Sequence, residues 1–225
     1  FQQAINWSKL SKHYEAAFGD SHSLRLEEFL THLREEEELL MLVVEDENTV
    51  GLTGSEDERA GETPYTSLIR DWQVTYKEGT SAGGSHGVGK SVLWASSGIS
   101  TCLFNSTLSR PDPRDDSPRL IGRAILPDHY LDDDHRHGKG WLGWKDESSQ
   151  IEHPISVWDG EAEELATALG VERRSDEPGT TVGIVGFCSP VGELDPDIEE
   201  VMDDFVEAAV KNFWPAIHRG NLEVM

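Results

Sequence analysis

The chain has 225 residues, with 43 Asp and Glu against 19 Lys and Arg and a formal charge of −24. That length holds one sizeable domain or two small ones with a real core, and that charge excludes a strongly basic nucleic-acid-binding surface. No apolar run approaches the roughly eighteen residues of a membrane-spanning helix, and no cleavable signal pattern is present.

The opening stretch from Phe1 to Phe18 reads like the middle of a domain, which predicts that a preceding segment is missing from this chain. Ser23 to Leu40 reads as a helix, with Leu24, Leu26, Phe29, Leu30 and Leu33 at helical spacing. Leu39 to Asp46 is a continuous apolar run ending in acid, the pattern of a buried strand. A loop containing Gly51 and Gly54 spans Asn48 to Ala60, and Leu68 to Tyr76 is a short helix or strand. A glycine-rich turn, Glu78 to Ser91, opens a helix carrying Val92 to Ser97. Strands are predicted over Ile99 to Ser106 and Leu120 to Leu126, around a Pro/Asp loop from Arg110 to Arg119. Pro127 to Ser149 is polar and reads as irregular. Asp159 is a plausible cap for a helix through Ala162, Leu165, Ala166 and Leu169 that stops at Gly170. Thr180 to Phe187 is a fourth buried strand. The last helix, Asp197 to His218, carries a stripe of Ile198, Val201, Met202, Phe205, Val206, Ala209, Val210 and Phe213, assigned to core packing. The sum is an α+β chain with a small, mostly antiparallel or mixed sheet.

The acid is spread along the chain beside seven Trp and seven Phe, which is not the composition of a disordered tail. Distributed acid with only seven Lys suits a protein kept hydrated in molar salt. It predicts the cytoplasm of a salt-accumulating halophile, with an ordinary acidic cytosolic protein as the alternative.

Two readings compete for the glycine loop. Gly84-Ser-His-Gly-Val-Gly-Lys90-Ser91 fits G-x-x-x-x-G-K-[ST], in which backbone N–H groups wrap phosphates and the lysine reaches the outer ones. That reading makes the chain a P-loop nucleotidase or kinase. A P-loop, however, follows directly on a buried strand, and Lys77 to Gly83 is too polar and flexible to be one. The apolar run ending in acid also lies before the loop instead of after it. The same residues read equally as G-x-x-G-x-G, on Gly84, Gly87 and Gly89.

In that second form three boxes occur in order: Val44-Glu-Asp46-Glu-Asn-Thr-Val-Gly51, then Gly84 to Ser91, then Pro178-Gly179-Thr180-Thr181-Val182. The chain here resembles the GHKL ATPases, most closely the MutL- and MORC-like proteins of prokaryotic restriction and phage-defence operons. Gly83 to Ser106, the stretch around Ile121 to Leu126, and Asn212 to Ile217 share the likeness, which spans Asn6 to Val224. The resemblance implies a Bergerat-type α/β sandwich, a mixed sheet with helices on one face, formed by one ATP-binding domain over residues 1–225. It implies ATP and Mg²⁺ as ligands, and lid closure coupled to homodimerisation. In the intact protein it implies hydrolysis serving DNA restriction or antiphage defence, with DNA or other defence subunits reached through missing regions.

Residue by residue, the resemblance makes Asp46 the acceptor for the adenine amine, as a buried carboxylate, with Glu47 as the alternative because the family's D-x-G-x-G is imperfect here. It makes Gly51 the point of close backbone approach, and Gly84, Gly87, Val88, Gly89, Lys90 and Ser91 the phosphate-closing lid. Thr180 or Thr181 would bond adenine or a water beside it. The family's catalytic Glu and Mg-binding Asn, spaced E-x-x-x-N, have no counterpart between Phe1 and Leu40. They are expected upstream, so this chain should bind without hydrolysing. A non-catalytic interaction module whose glycine loop is only a turn remains a third reading.

Other residues carry weaker signals. His129, Asp132, Asp133, Asp134, His135 and His137 could ligate a metal, but their spacing fits no zinc pattern and a solvated loop is preferred. Cys102 and Cys188 sit in apolar runs as filler. Trp141 and Trp144 are read as loop anchors in preference to a base-stacking platform.

Overall fold

A computed structural model describes residues 5–21, 24–36, 38–56, 61–70, 89–109, 117–145, 154–189 and 196–225. Helices Trp7–Ser21 (α1) and Leu24–Glu36 (α2) lead into strand Met41–Glu45 (β1) and a π-helical turn at Thr66–Arg70. The short helix Ser91–Ala95 (α3) then feeds the long strand Ser97–Thr107 (β2), followed by Arg119–Ile125 (β3). Three short strands follow: His129–Leu131 (β4), Asp134–Arg136 (β5) and Lys139–Leu142 (β6). Val157–Trp158 (β7), helix Asp159–Leu169 (α4), Gly179–Phe187 (β8) and helix Ile198–His218 (α5) complete the order.

The main sheet runs β1-β8-β2-β3-β6, with β7 also on β3, and every pairing described is antiparallel. The architecture is therefore α+β, in the antiparallel form of the expected sheet. Side chains alternate across β2. Leu103 joins Tyr14, Ala17, Phe29, Ala162, Ala166 and Val185 beneath α1, α2 and α4. Cys102 and Phe104 join Leu52, Tyr65, Ile69, Trp94 and Ile184 on the opposite face. Helices α1, α2 and α4 thus share one face, while the π turn, α3 and the Leu52 loop cover the other, where Val201 of α5 also packs.

That second face holds charge. Arg119 and Arg123 are fully buried and Arg70 nearly so. Glu56 Oε1 accepts from Arg119 Nη2 at 2.5 Å and from Ser156 N at 3.1 Å, and its Oε2 accepts from Arg70 Nη2 at 3.2 Å. The guanidiniums also lie over aromatic faces, Arg119 being 3.7 Å from the Tyr65 ring centre and Arg70 5.0 Å from that of Trp141.

Four sequence expectations need correction. Leu39 to Asp46 yields an edge strand paired only with β8, leaving Val43 and Val44 exposed; an apolar run cannot say how many neighbours it has. Within Pro127 to Ser149, the described residues 127–145 are ordered instead of irregular. Asp132 and Asp133 take φ of 53° and 65° between the paired Leu131 and Asp134, the two-residue turn of a hairpin. At α4, Trp158 holds the cap position and Asp159 is the first helical residue, at φ 56°, while Gly170 ends the helix in the left-handed conformation as expected. Finally, α5 has no buried residue. Of its apolar stripe, Val201 packs on the second core, but Ile198, Met202, Phe205, Val206, Val210 and Phe213 are exposed. Periodicity defines an apolar face and says nothing of what covers it.

Candidate functional site

The first and third boxes meet where β1 ends and β8 begins. Asp46 N donates to Thr180 O at 3.0 Å, and Thr180 N donates back to the Asp46 carboxylate through Oδ1. Thr49 N donates to Pro178 O at 3.1 Å, so the turn after β1 is laced to the turn before β8. Two glycines make this approach possible. A Cβ on Gly179 would lie 2.1 Å from Asp46 O. Gly51 sits at φ +66°, and a Cβ there would lie 2.4 Å from Thr107 O. The absent side chain of Gly51 therefore makes room for the end of β2, which is a different reason for glycine than a nucleotide's approach.

Two residues not singled out from the sequence organise this corner. Ser106 Oγ accepts from Leu52 N at 2.8 Å, donates to Gly179 O at 2.8 Å, and lies 3.1 Å from Thr180 Oγ1. Arg173 donates to Asp46 O at 3.1 Å and lies 3.5 Å from Glu45 Oε1. Ser106 is brought in by the pairing of β2 with β8, and Arg173 by the connection from α4 into β8.

The predicted site residues fall into three groups. Asp46, Gly51 and Thr180 come together. Asp46 is exposed and not buried as expected, because β1 is an edge strand. Thr181 is fully buried on the opposite face of β8, beside Asn105 and 3.5 Å from Arg173 Nη1, so the two threonines are not equivalent. Of the lid, Gly84, Gly87 and Val88 lie outside the described residues. Gly89 is exposed, and Ser91 opens α3. Lys90 Nζ donates to the carbonyl of Ser67 in the π turn. Through Trp94, 6.0 Å from the Phe104 ring, α3 packs on the same face of the sheet that carries Ser106 and Thr180.

Other candidates resolve individually. Among the described residues no group of three or more His, Cys, Asp or Glu could hold a metal ion, so they offer no Mg²⁺ cage. His135 and His137 are exposed on the β4-β5 hairpin and its exit. Asp128 lies 3.8 and 3.4 Å from them, its carboxyl held below the usual range by the Gly138 N–H and then by His137. His129 is instead buried and meets His13, Nε2 to Nδ1, at 3.0 Å. Both cysteines are buried, and desolvation pushes the Cys102 thiol up to about 12. Trp141 anchors its strand by donating to Ile69 O at 2.9 Å.

On the helical face, α1, β3, β6 and α4 enclose a half-open cleft of about 690 Å³. None of the predicted nucleotide residues lines it. Volume and predicted chemistry therefore point to different places.

Comparison with known proteins returns nothing similar: no family model matches the chain, and neither does any curated protein or solved structure. Among the described residues, no helix is long and apolar enough to cross a membrane.

Proposed function

We propose that the corner formed by Asp46, Gly51 and Thr180 binds the adenine end of ATP. The observation that carries the reading is the mutual hydrogen bonding of Asp46 and Thr180, residues 134 apart in sequence. The resemblance requires those two boxes to share one site. Asp46 Oδ1 is occupied by Thr180 N, which fixes the carboxylate and leaves Oδ2 to accept from an exocyclic amine. A guanine presents a carbonyl at that position and would meet a second acceptor, so the arrangement favours adenine. The lid and Mg²⁺ chemistry, hydrolysis, ATP-driven dimerisation and a role in restriction or antiphage defence extend this reading by resemblance, while a halophilic cytoplasm rests on the distributed acid and few lysines.

The P-loop alternative finds less support. Lys90 is held by the Ser67 carbonyl, and α3 leads into an antiparallel strand instead of a strand–loop–helix unit of a parallel sheet.

The test is ATP-dependent protection against heat and proteolysis in molar KCl with Mg²⁺, for wild type, Asp46→Asn and Lys90→Ala. Asn keeps the Oδ1 contact to Thr180 N but presents an amide N–H₂ to the adenine amine. Loss of protection in Asp46→Asn with only weakening in Lys90→Ala is expected. The reverse order would return the P-loop reading, and no protection in the wild type would leave the interaction module.

A further inference from the structure

The cleft on the helical face is chemically unlike the rest of the molecule. Nearly one residue in five of the chain is Asp or Glu, 43 of 225, yet among the described residues no carboxylate lines the cleft. What lines it is cationic at the rim and apolar within. Lys9, Lys139 and Lys145 stand there exposed, with no ion pair among the described residues, and His13 stands beside them. Arg136, also at the rim, is paired to Asp134 at 2.9 Å. The groups that depress His13 protonation, after burial itself, are His129, Arg136 and Lys9.

The space has a structural origin. On β3 and β6 the positions facing the cleft include the paired Ala124 and Gly140. A Cβ built on Gly140 meets no atom within 4 Å, so the floor is open directly above it. Leu126, Leu165 and Leu169 form walls that offer no hydrogen-bonding side chain. A purine or sugar would lose its polar contacts with water there and regain few. An acyl or alkyl chain loses nothing.

The volume, about 690 Å³, is that of a small-molecule site, which spans roughly 300–1,000 Å³. The rim lysines supply the anchor for the head group, and His13 is held beside them. Pro127 O can only accept, so Nδ1 of His129 bears the proton at that 2.9 Å contact, and in the neutral pair its Nε2 accepts from His13 Nδ1–H. His13 is thereby oriented with an unprotonated Nε2, an acceptor, so an anion's contacts fall to the lysines.

We propose that this cleft is a binding site for a small anionic amphiphile. Its alkyl or acyl body would lie over Ala124 and Gly140 between α1 and α4, and its carboxylate or phosphate head would sit at Lys9 and Lys139. The site is independent of the nucleotide corner, which lies at the β1-β8 side of the sheet around Ser106 and Thr180 on the other face. ATP and the amphiphile therefore bind without competing.

The experiment titrates laurate, dodecyl phosphate and 1-dodecanol, each below its aggregation concentration, into the chain and follows tryptophan fluorescence and calorimetry. Both anions should bind one to one and at least about tenfold tighter than the alcohol, the worth of a charge-assisted contact. The tighter of the two identifies the head group. Gly140→Leu, which puts a side chain into the open floor, should weaken all three. Exposed Lys9→Glu with Lys139→Glu should weaken the anions by about tenfold or more and leave the alcohol unchanged. The lysine pair decides the matter even where Gly140→Leu fails to fold. No anion binding, equal binding of alcohol and anions, or anion binding indifferent to the lysine changes would each overturn the proposal.

Discussion

Replacing Glu56 with Gln is the most direct probe of the polar core. The carboxylate serves two guanidiniums whose side chains are fully buried, Arg119 and Arg70, and is itself only 12% exposed. Gln can keep one oxygen on Arg119 Nη2 and Ser156 N, but its amide N–H₂ then faces Arg70 Nη2, donor against donor. Two buried positive charges are left with no counter-charge at that position. Breaking a buried ion pair from one side costs about 3–5 kcal/mol. For a chain of this size about 1 kcal/mol moves Tm by roughly 2–4 °C, so a fall of about 6–20 °C is expected, read by tryptophan fluorescence during heating.

The acid limb carries a second signature of the same change. Burial would raise the Glu56 pKa, but Arg119 and the Ser156 hydrogen bonds outweigh it and hold the group below its ordinary 4.5. Its contribution to stability is thus complete above the unfolded value and is lost as pH falls through the lowered folded one. Glu56→Gln should flatten that part of the acid-unfolding curve. A loss under about 1 kcal/mol, with an unchanged acid limb, would refute the claim that Glu56 balances the two arginines.

Three further outcomes follow from the same geometry. Gly51→Ala should destabilise by about 2 kcal/mol or more, from the left-handed backbone and the clash with Thr107 O; a change below about 0.5 kcal/mol in denaturant titration counts against it. On α5, Phe205→Glu should alter stability by no more than about 0.5 kcal/mol, whereas Phe104→Ala, fully buried in β2, should cost about 3–5 kcal/mol; chemical denaturation of the two side by side reads the contrast. His13 is protonated less readily folded than unfolded, because of burial and then His129, Arg136 and Lys9. Its contribution therefore makes stability decline as pH drops below 6.5 and level off beneath the lowered folded pKa. NMR titration of the His13 ring should place its midpoint below the ordinary 6.5.

The centre of the sheet was legible because its strands are long apolar runs with neighbours on both sides. Ile99 to Ser106 and Thr180 to Phe187 fall within β2 and β8 almost residue for residue. Where neighbours are fewer, pattern misleads, as at the edge strand β1 and on α5. The hairpin within Pro127 to Ser149 was hidden because its turn is Asp132-Asp133 and β5 is wholly exposed, which leaves no apolar alternation to read. Arg119 and Arg123 occupy one face of β3 at spacing four, where charge ordinarily signals solvent. They are buried because aromatic rings and Glu56, 63 positions away from Arg119, come to meet them. At the Asp46–Thr180 corner, resemblance alone put the two residues in one site, and neither Ser106 nor Arg173 was singled out as part of it. Such sites are made by strand pairing, and a pairing partner is not a property of the local sequence.

The distribution of charge ties the two faces together. Three arginines and one glutamate lie in the interior or nearly so, which leaves the remaining surface more negative than the formal −24. The unpaired lysines of the cleft form a positive island on that surface. At low salt the surrounding acid repels an approaching anion, so the island's own attraction is partly cancelled at long range. In molar salt the Debye length shrinks to about 3 Å, and both the repulsion and any steering vanish, while contact ion pairs at Lys9 and Lys139 persist. A protein in which acid surrounds a basic cleft should therefore bind its anion by contact and not by attraction from afar. Raising KCl should quicken association where a basic surface would slow it, while the preference for anion over alcohol survives in reduced form. Stopped-flow association of laurate across a KCl series reads this directly, and an on-rate that falls monotonically with salt would show that the cleft presents a net positive field to its ligand.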